Sequence, residues 1–350
     1  MQGVGSKSAA GHFVFYYDNV WLSNRLHPKR CSQQLFLEHA DIAACTVEYS
    51  IREESIMTMQ FRIARWSLTL LALAGLAVTT FAQAQTVQRP FEPSVGQPGK
   101  DVVWVPTSEE VVNKMLDIAK VSAGDYVIDL GSGDGRTVIA AAKRGARALG
   151  IEYNPDMVEL SKVNAAKEGL SARASFIKAD IFESDFSEAT VITMFLLPEL
   201  NLKLRPKILN LKPGTRIVSN TFTMGEWACD ESSSGGGESY VEDESYGSYN
   251  TALLWIVPAK VAGTWRMGQD ELTITQSFQM VEGTLKSGNR SIAISNGRLR
   301  GDQIRFNAGD SEYSGSVRGN RMQGSVKSGG NSTSWTAVLS GTAEPSPRPE

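Results

Sequence analysis

Histidine and cysteine are scarce in this 350-residue chain, with three of each. Their placement matters more than their number. His12, His27 and His39 all precede residue 40, Cys31 and Cys45 precede residue 46, and only Cys229 follows. A basic excess is lacking as well: the formal net charge is -3, which argues against a generally basic nucleic-acid binder. Glycine at 32 and proline at 13 give no collagen-like pattern. Apolar residues make up 41% and charged residues 21%, so the chain can bury a sizeable core, and its length predicts two or three domains.

Residues 59–84 read as a secretory signal. Arg62 and Arg65 form a basic start, Trp66 to Phe81 is an apolar run relieved only by Ser and Thr, and Ala82-Gln83-Ala84 is an A-x-A cleavage site. A run of about 16 residues is short for a helix spanning a bilayer core of roughly 30 Å. A retained membrane anchor is the alternative. The expected location is exported, periplasmic or envelope-associated, with the basic flank left on the cytoplasmic side. A signal should open a protein, so the reading expects translation to begin at Met57 or Met59 and residues 1–58 to be a non-native upstream extension. Cleavage after Ala84 leaves one cysteine and no histidine. That excludes Ser-His-Asp and Cys-His catalysis, zinc sites built on His or Cys clusters, and an intrachain disulfide.

The rest of the chain divides by composition. Residues 85–100 are rich in Gln, Pro and Gly and read as a linker. Residues 101–258 alternate strand-like and helix-like segments, interrupted at 230–249 by a Ser/Gly/acidic stretch that reads as a mobile loop. Residues 259–341 carry short alternating runs separated by Gly, Asn and Asp, and 342–350 form a Pro-rich tail.

Within 101–258, Thr107-Ser108-Glu109-Glu110 predicts a capping box with Thr107 as N-cap, ahead of a helix with Val111, Met115, Leu116 and Ile118 at helical spacing. Strands are predicted at Tyr126–Leu130, Ala148–Ile151, Ala174–Lys178, Thr190–Phe195, Arg216–Ser219 and Ala252–Val257, with helices at Arg136–Arg144 and Pro155–Glu168. This alternation predicts a mainly parallel sheet covered by helices, which binds ligands at the carboxyl ends of its strands. Gly131-Ser132-Gly133-Asp134-Gly135 follows the first strand, and Asp129, Glu152 and Asp180 sit at or just past strand ends. A dinucleotide site wants G-x-G-x-x-G; here the pattern is G-x-G-x-G, with Arg136 in the place of the last glycine. A carboxylate at Asp129 would repel a pyrophosphate but suits a cationic ligand such as S-adenosylmethionine. A nicotinamide oxidoreductase is therefore the weakest reading.

On these residues, 101–227 resembles a class I S-adenosylmethionine-dependent methyltransferase, carried by Val127-Ile128-Asp129-Leu130-Gly131-Ser132-Gly133-Asp134-Gly135. The resemblance implies that Gly131 and Gly133 pass the methionine part of the cofactor and that Asp129 orders the loop. It further implies that Glu152 meets the ribose hydroxyls, and that Asp180 takes the adenine amino group with Ile181 against the ring. Ser132, Asp134 and Gly135 complete the expected cofactor loop. Val105-Pro106-Thr107, Phe195-Leu196-Leu197-Pro198-Glu199-Leu200 and Leu211-Lys212-Pro213-Gly214-Thr215-Arg216 are similar to a narrower group. That group contains the mitochondrial lysine methyltransferases acting on the adenine nucleotide translocase and the ATP synthase c-subunit. It implies methylation of a protein lysine. Methyl transfer needs alignment and a desolvated site more than a strong acid, so it tolerates the missing histidine. Trp104, Thr107, Phe195, Leu197 and Pro198 are the expected walls of the acceptor pocket, Thr107, Glu199 and Asn220 the expected catalytic group, and Phe222 a weaker candidate. No metal is expected.

Past the sheet, Gly263-Thr264-Trp265 and seven strand-like runs from Leu272 to Leu339 predict a small antiparallel meander or barrel. The echo Gly283-Thr284-Leu285-Lys286, Gly315-Ser316-Val317-Arg318 and Gly324-Ser325-Val326-Lys327 supports repeated hairpins. The fold class expected is thus α/β, a Rossmann-like class I methyltransferase sheet followed by an antiparallel β-meander or barrel. Expected partners are a protein substrate and an envelope component at the β domain, with no nucleic acid. The second function carried is a non-catalytic binding protein that keeps the methyltransferase fold and acts through its barrel.

Overall fold

The computed structural model describes residues 91–234 and 249–342. The upstream stretch 1–58, the signal at 59–84, most of the acidic loop and the tail from 343 lie outside the described residues.

The first half is a seven-stranded sheet. Its strands are β1 (Tyr126–Leu130), β2 (Arg147–Glu152), β3 (Ala174–Lys178), β4 (Val191–Met194), β5 (Arg216–Asn220), β6 (Glu231–Ser234) and β7 (Thr251–Ile256), in the order β3-β2-β1-β4-β5-β7-β6. The first five are parallel, while β7 runs antiparallel to β5 and β6 antiparallel to β7. The central strands read as near-continuous apolar runs because helices cover both faces. α1 (Glu109–Ile118), α2 (Arg136–Lys143) and α3 (Pro155–Lys167) share one core with Val127, Val191 and Val218. α4 (Pro198–Ile208) buries Leu204 and Ile208 on the other face with Ile128, Ile192 and Trp255. β1 lies between β2 and β4, so the chain order reverses beside it and a crevice opens at its carboxyl end.

Two expectations are corrected here. The N-cap of α1 is Ser108, whose Oγ accepts from the Val111 amide at 3.3 Å. The predicted cap, Thr107, instead turns its hydroxyl to Asn220 Nδ2, which donates to it at 3.4 Å. The acidic stretch also does not begin as a solvated loop. Glu231–Ser234 forms β6, and the Asp230 side chain is 1% exposed.

The second half closes into a barrel of eight antiparallel strands, β8 (Gly263–Met267), β9 (Asp270–Ser277), β10 (Met280–Ser287), β11 (Arg290–Arg300), β12 (Gln303–Ala308), β13 (Ser311–Arg318), β14 (Arg321–Ser328) and β15 (Asn331–Thr342). Closure leaves no edge strand. Trp265, Leu272, Ile274, Leu299, Phe306, Met322 and Trp335 fill the interior. Phe306 and Tyr313 stack at 4.7 Å with Trp335 edge-on to both. The interior is a packed core.

Barrel and sheet meet through specific contacts. Trp227 stacks on Phe278 at 5.9 Å, and Gln279 Nε2 donates to the Ala228 carbonyl at 2.8 Å. Buried Asp230 accepts from the Ile256 amide at 2.9 Å and from Arg298 of β11 at 2.7 Å. One strand residue on, Glu231 pairs with Arg300. Removing Arg298 strands a buried carboxylate, whereas the Glu231–Arg300 pair is substantially exposed. We expect Arg298→Ala to cost about 3 kcal/mol and Arg300→Ala less than about 1 kcal/mol. Urea unfolding followed by tryptophan fluorescence measures both; equal costs would show that the buried pair does not set the interface.

Candidate active site

The site is built on the turn that leaves β1. Gly133 has φ 53 and Gly135 has φ 83, a region that L side chains rarely adopt. Space is as restrictive as backbone. A Cβ on Gly133 would lie 2.6 Å from Trp104 Nε1, and one on Gly135 2.7 Å from the Phe176 ring. Gly131 abuts Leu196. Ser132 is buried beside Gly150 of β2, and its Oγ has no hydrogen-bond partner. Asp134 is held by Arg136 at 2.6 Å, and Arg136 also donates to the Thr107 carbonyl at 2.8 Å. The arginine standing where a dinucleotide motif has its last glycine therefore ties the α1 entry to the glycine turn.

The predicted cofactor residues share one cleft. Asp129, Gly131, Ser132, Gly133, Asp134, Glu152, Asp180 and Ile181 all line it; Gly135 lies behind as the N-cap of α2. Glu152 accepts from the Gly133 amide at 3.0 Å and the Asn154 amide at 2.9 Å. A carboxylate has acceptor capacity for about four donors, so two positions remain for hydroxyls. Asp180 Oδ1 accepts from the Phe182 amide at 2.8 Å and its Oδ2 pairs with Lys100 at 3.0 Å. The Phe182 bond, then Lys100, holds the Asp180 carboxyl below the usual carboxylate range. Lys100 was not foreseen. It lies in the stretch read as a linker, yet Gly96 and Gln97 pair through backbone hydrogen bonds with Trp104, and Gln97 to Trp104 form a wall of the cleft. Tyr153, Met157, Leu196 and Leu200 are further wall residues that sequence reasoning missed.

Of the expected acceptor residues, Trp104, Thr107 and Phe195 line the cleft. Leu197 is 38% exposed, at the N-cap of α4, and neither it nor Pro198 is part of the wall. The strand ends at Met194 and the chain then swings outward, so Leu196 and Leu200 take the inward places. Glu199 is exposed on the first turn of α4 and outside the wall. Asn220 is fully buried at the end of β5 and reaches the cleft only through Thr107. The next residue, Thr221, has φ 62, and the Phe222 amide donates back to the Asn220 carbonyl at 2.6 Å. This is a γ-turn around a β-branched residue, a conformation costing about 1–3 kcal/mol.

Charge is concentrated in the cleft. Asp101, Asp129, Asp134, Glu152 and Asp180 line it, against Lys100 and Arg136. Asp129 is buried, with Thr193 Oγ1 donating to it at 2.6 Å. Burial pushes its carboxyl up to about 7, with Glu152 and Asp134 adding to the rise and Thr193 opposing it. An unfolded chain ionises this group in the ordinary range, so it costs stability increasingly as pH rises from there to about 7 and fully above. Asp129→Asn should therefore match or exceed wild-type stability at pH 8, by on the order of a few kcal/mol in urea unfolding. It should also weaken binding of a cationic cofactor about tenfold or more in calorimetry. Unchanged affinity would remove Asp129 from the cofactor site.

Several known proteins are similar to this chain. A family model of the ANTKMT methyltransferase domain matches residues 129–231. A protein-lysine N-methyltransferase of Saccharolobus islandicus is 50% identical over 129 residues, 36% of this chain and 80% of the relative. The Homo sapiens lysine N-methyltransferase of the ATP synthase c-subunit is 32% identical over 167 residues, 47% of this chain and 69% of the relative. A crystal structure described as an RNA methyltransferase from Salinibacter ruber, in complex with S-adenosyl-L-homocysteine, aligns at 43% identity over 45% of this chain and 96% of that one, with a TM-score of 0.41. The residues present fit S-adenosylmethionine: carboxylates surplus to the cleft's own cations suit its ammonium and sulfonium, and Glu152 retains acceptors for its ribose. The chain belongs to the ANTKMT family of S-adenosylmethionine-dependent methyltransferases.

Proposed function

We propose that this protein methylates the side-chain amine of a lysine in a protein substrate. The observation that carries the reading is the pairing of an acid-lined cofactor cleft with an acceptor side made of Trp104, Phe195 and Thr107. The relatives named above as protein-lysine N-methyltransferases support it.

When bound, S-adenosylmethionine would supply a methyl group on a positively charged sulfur, to be taken by a neutral amine nitrogen with the sulfur as leaving group. The chain's own work is alignment. Glu152, fixed by two amides, one of them from Gly133 in the turn, holds the ribose end, and buried Asp129 sits beneath the turn, held by Thr193. Thr107, anchored by Asn220 and by Arg136 through its carbonyl, stands at the acceptor side. No histidine occurs among the described residues, so none of them offers an imidazole to take the ammonium proton.

We also propose that the protein acts in or beyond the cell envelope, on the strength of the basic start, apolar run and A-x-A site at 59–84. N-terminal sequencing of the expressed protein tests this: a start near Gln85 is expected, an intact 59–84 would mean a retained anchor, and peptides from residues 1–50 would overturn the start at Met57 or Met59 on which the signal reading depends.

For the activity, purified protein is incubated with methyl-labelled cofactor and separate protein and RNA fractions, followed by acid hydrolysis and amino-acid analysis. Label in methyllysine is expected, with Glu152→Ala binding cofactor about 10- to 100-fold more weakly and losing activity accordingly. Label confined to RNA would overturn the lysine reading, and tight cofactor binding without transfer to any fraction would favour a non-catalytic role.

A further inference from the structure

Three aromatic rings gather beside the acceptor wall. Phe195 follows β4, Phe222 follows β5, and Tyr249 precedes β7, so three separate elements deliver them to the carboxyl ends of the strands. Phe195 and Phe222 stack with centroids 5.9 Å apart and planes 15° from parallel. Tyr249 stands edge-on to Phe195 at 5.1 Å and tilted against Phe222 at 5.6 Å. All three are only half-buried, so the cluster is not sealed into the core. Phe195 lines the cleft, and Phe222 and Tyr249, outside that lining, extend it outward through their ring contacts with Phe195.

A second observation points the same way. Phe222 is put in place by the strained turn at Thr221, whose φ is 62. The turn is held on both sides: the Thr221 amide donates to the Thr251 carbonyl at 2.6 Å, and its hydroxyl donates to Asn220 Oδ1 at 2.9 Å. Core packing alone does not call for a β-branched residue in that conformation to hold a half-exposed ring. The expected acidic partner for an incoming amine, Glu199, lies outside the cleft wall.

We propose that Phe195, Phe222 and Tyr249 form a recognition face for the cationic side-chain nitrogen of the acceptor, and that it reads the charge through the ring faces and favours the partly methylated nitrogen. The inference rests on the amine-acceptor reading above. An ammonium is attracted to the negative face of an aromatic ring, and each added methyl group makes the cation less hydrated while keeping its charge. Product nitrogen therefore binds the rings at least as well as substrate nitrogen. A once-methylated lysine stays at the mouth for the next cycle once the cofactor has been exchanged, and successive methylation is favoured over release.

The test uses the full chain and two probes, N-acetyl-trimethyllysine amide and its neutral tert-butyl isostere, titrated by NMR. The charged probe should bind wild type about tenfold more tightly than the neutral one. Phe222→Leu and Tyr249→Leu should each reduce that preference about three- to tenfold, and Tyr249→Phe, which keeps the ring, should retain it. Calorimetry with S-adenosylmethionine, expected unchanged in all three variants, shows that each is folded. Equal binding of the two probes by wild type, or a preference unchanged in both leucine variants, would overturn the proposal. If either leucine variant loses cofactor binding, the wild-type comparison and the other variant decide. The readouts separate this inference from the lysine reading. Methyllysine formed by a protein that does not discriminate the probes sinks the ring proposal alone. Ring-dependent discrimination without methyllysine sinks the lysine reading alone.

Discussion

The turn between β1 and α2 leaves no room for a side chain at Gly133 or Gly135, and much of the site is arranged around that lack of room. Trp104 can close over the turn only because Gly133 presents no Cβ, and Phe176 of β3 packs against the turn only because Gly135 presents none. These contacts bring the 96–104 loop, β3 and α3 to one point; Ser161 of α3 donates to the Gly133 carbonyl at 2.8 Å. Asp129 is sealed beneath, where burial rather than any partner dominates its ionisation. A substituent at either glycine would have to move several elements together, which is why such a loop tolerates little change.

The barrel is joined to the same system from the other end. β6 and β7 pair with Glu231 opposite Leu254 and Ser234 opposite Thr251. Since β7 runs antiparallel to β5, its first residues lie at the carboxyl end of β5, on the cleft side. The barrel grips the opposite end of this pair, through Asp230 and Arg298 and through Glu231 and Arg300. With its interior filled by Trp265, Phe306 and Trp335, the barrel offers packed mass and an outer surface rather than a chamber. Its clearest structural effect is to fix the strand pair from which Tyr249 leads.

Local signals proved most informative where local chemistry decides the outcome. The glycine turn, the apolar run of β1 and the acids at Asp129, Glu152 and Asp180 were all legible, because a parallel sheet reversing beside β1 has one place for a ligand. The repeated hairpins of the barrel were legible from alternation and turn residues, which left a meander or a barrel open, and the structure closes it as a barrel. The misses share a cause. Thr107 looked like a cap until a partner 113 residues away claimed its hydroxyl. Asp230 looked like the start of a solvated acidic run until Arg298, 68 residues on, proved to cover it. Lys100 looked like part of a tether because nothing in its neighbourhood names Asp180. Leu197 and Pro198 are expected walls that fall outside the cleft lining, where Leu196 and Leu200 stand instead. Each error concerns where a long-range partner lies, and spacing along one chain does not encode that.

The division of labour across the cleft follows from the chemistry of its two sides. Carboxylates gather around the glycine turn, where two backbone amides hold Glu152 and the Thr193 hydroxyl holds Asp129. The side expected to take the acceptor has Trp104, Phe195 and Thr107, and Glu199, the acid expected there, is exposed outside the wall. A carboxylate beside the incoming nitrogen would stabilise its protonated form and so oppose loss of the proton that must precede methyl transfer. Aromatic surface attracts the same cation more weakly and gives it up at lower cost. On the lysine reading proposed above, a site that must first attract an ammonium and then use it as an amine is better served by rings than by an acid beside the nitrogen.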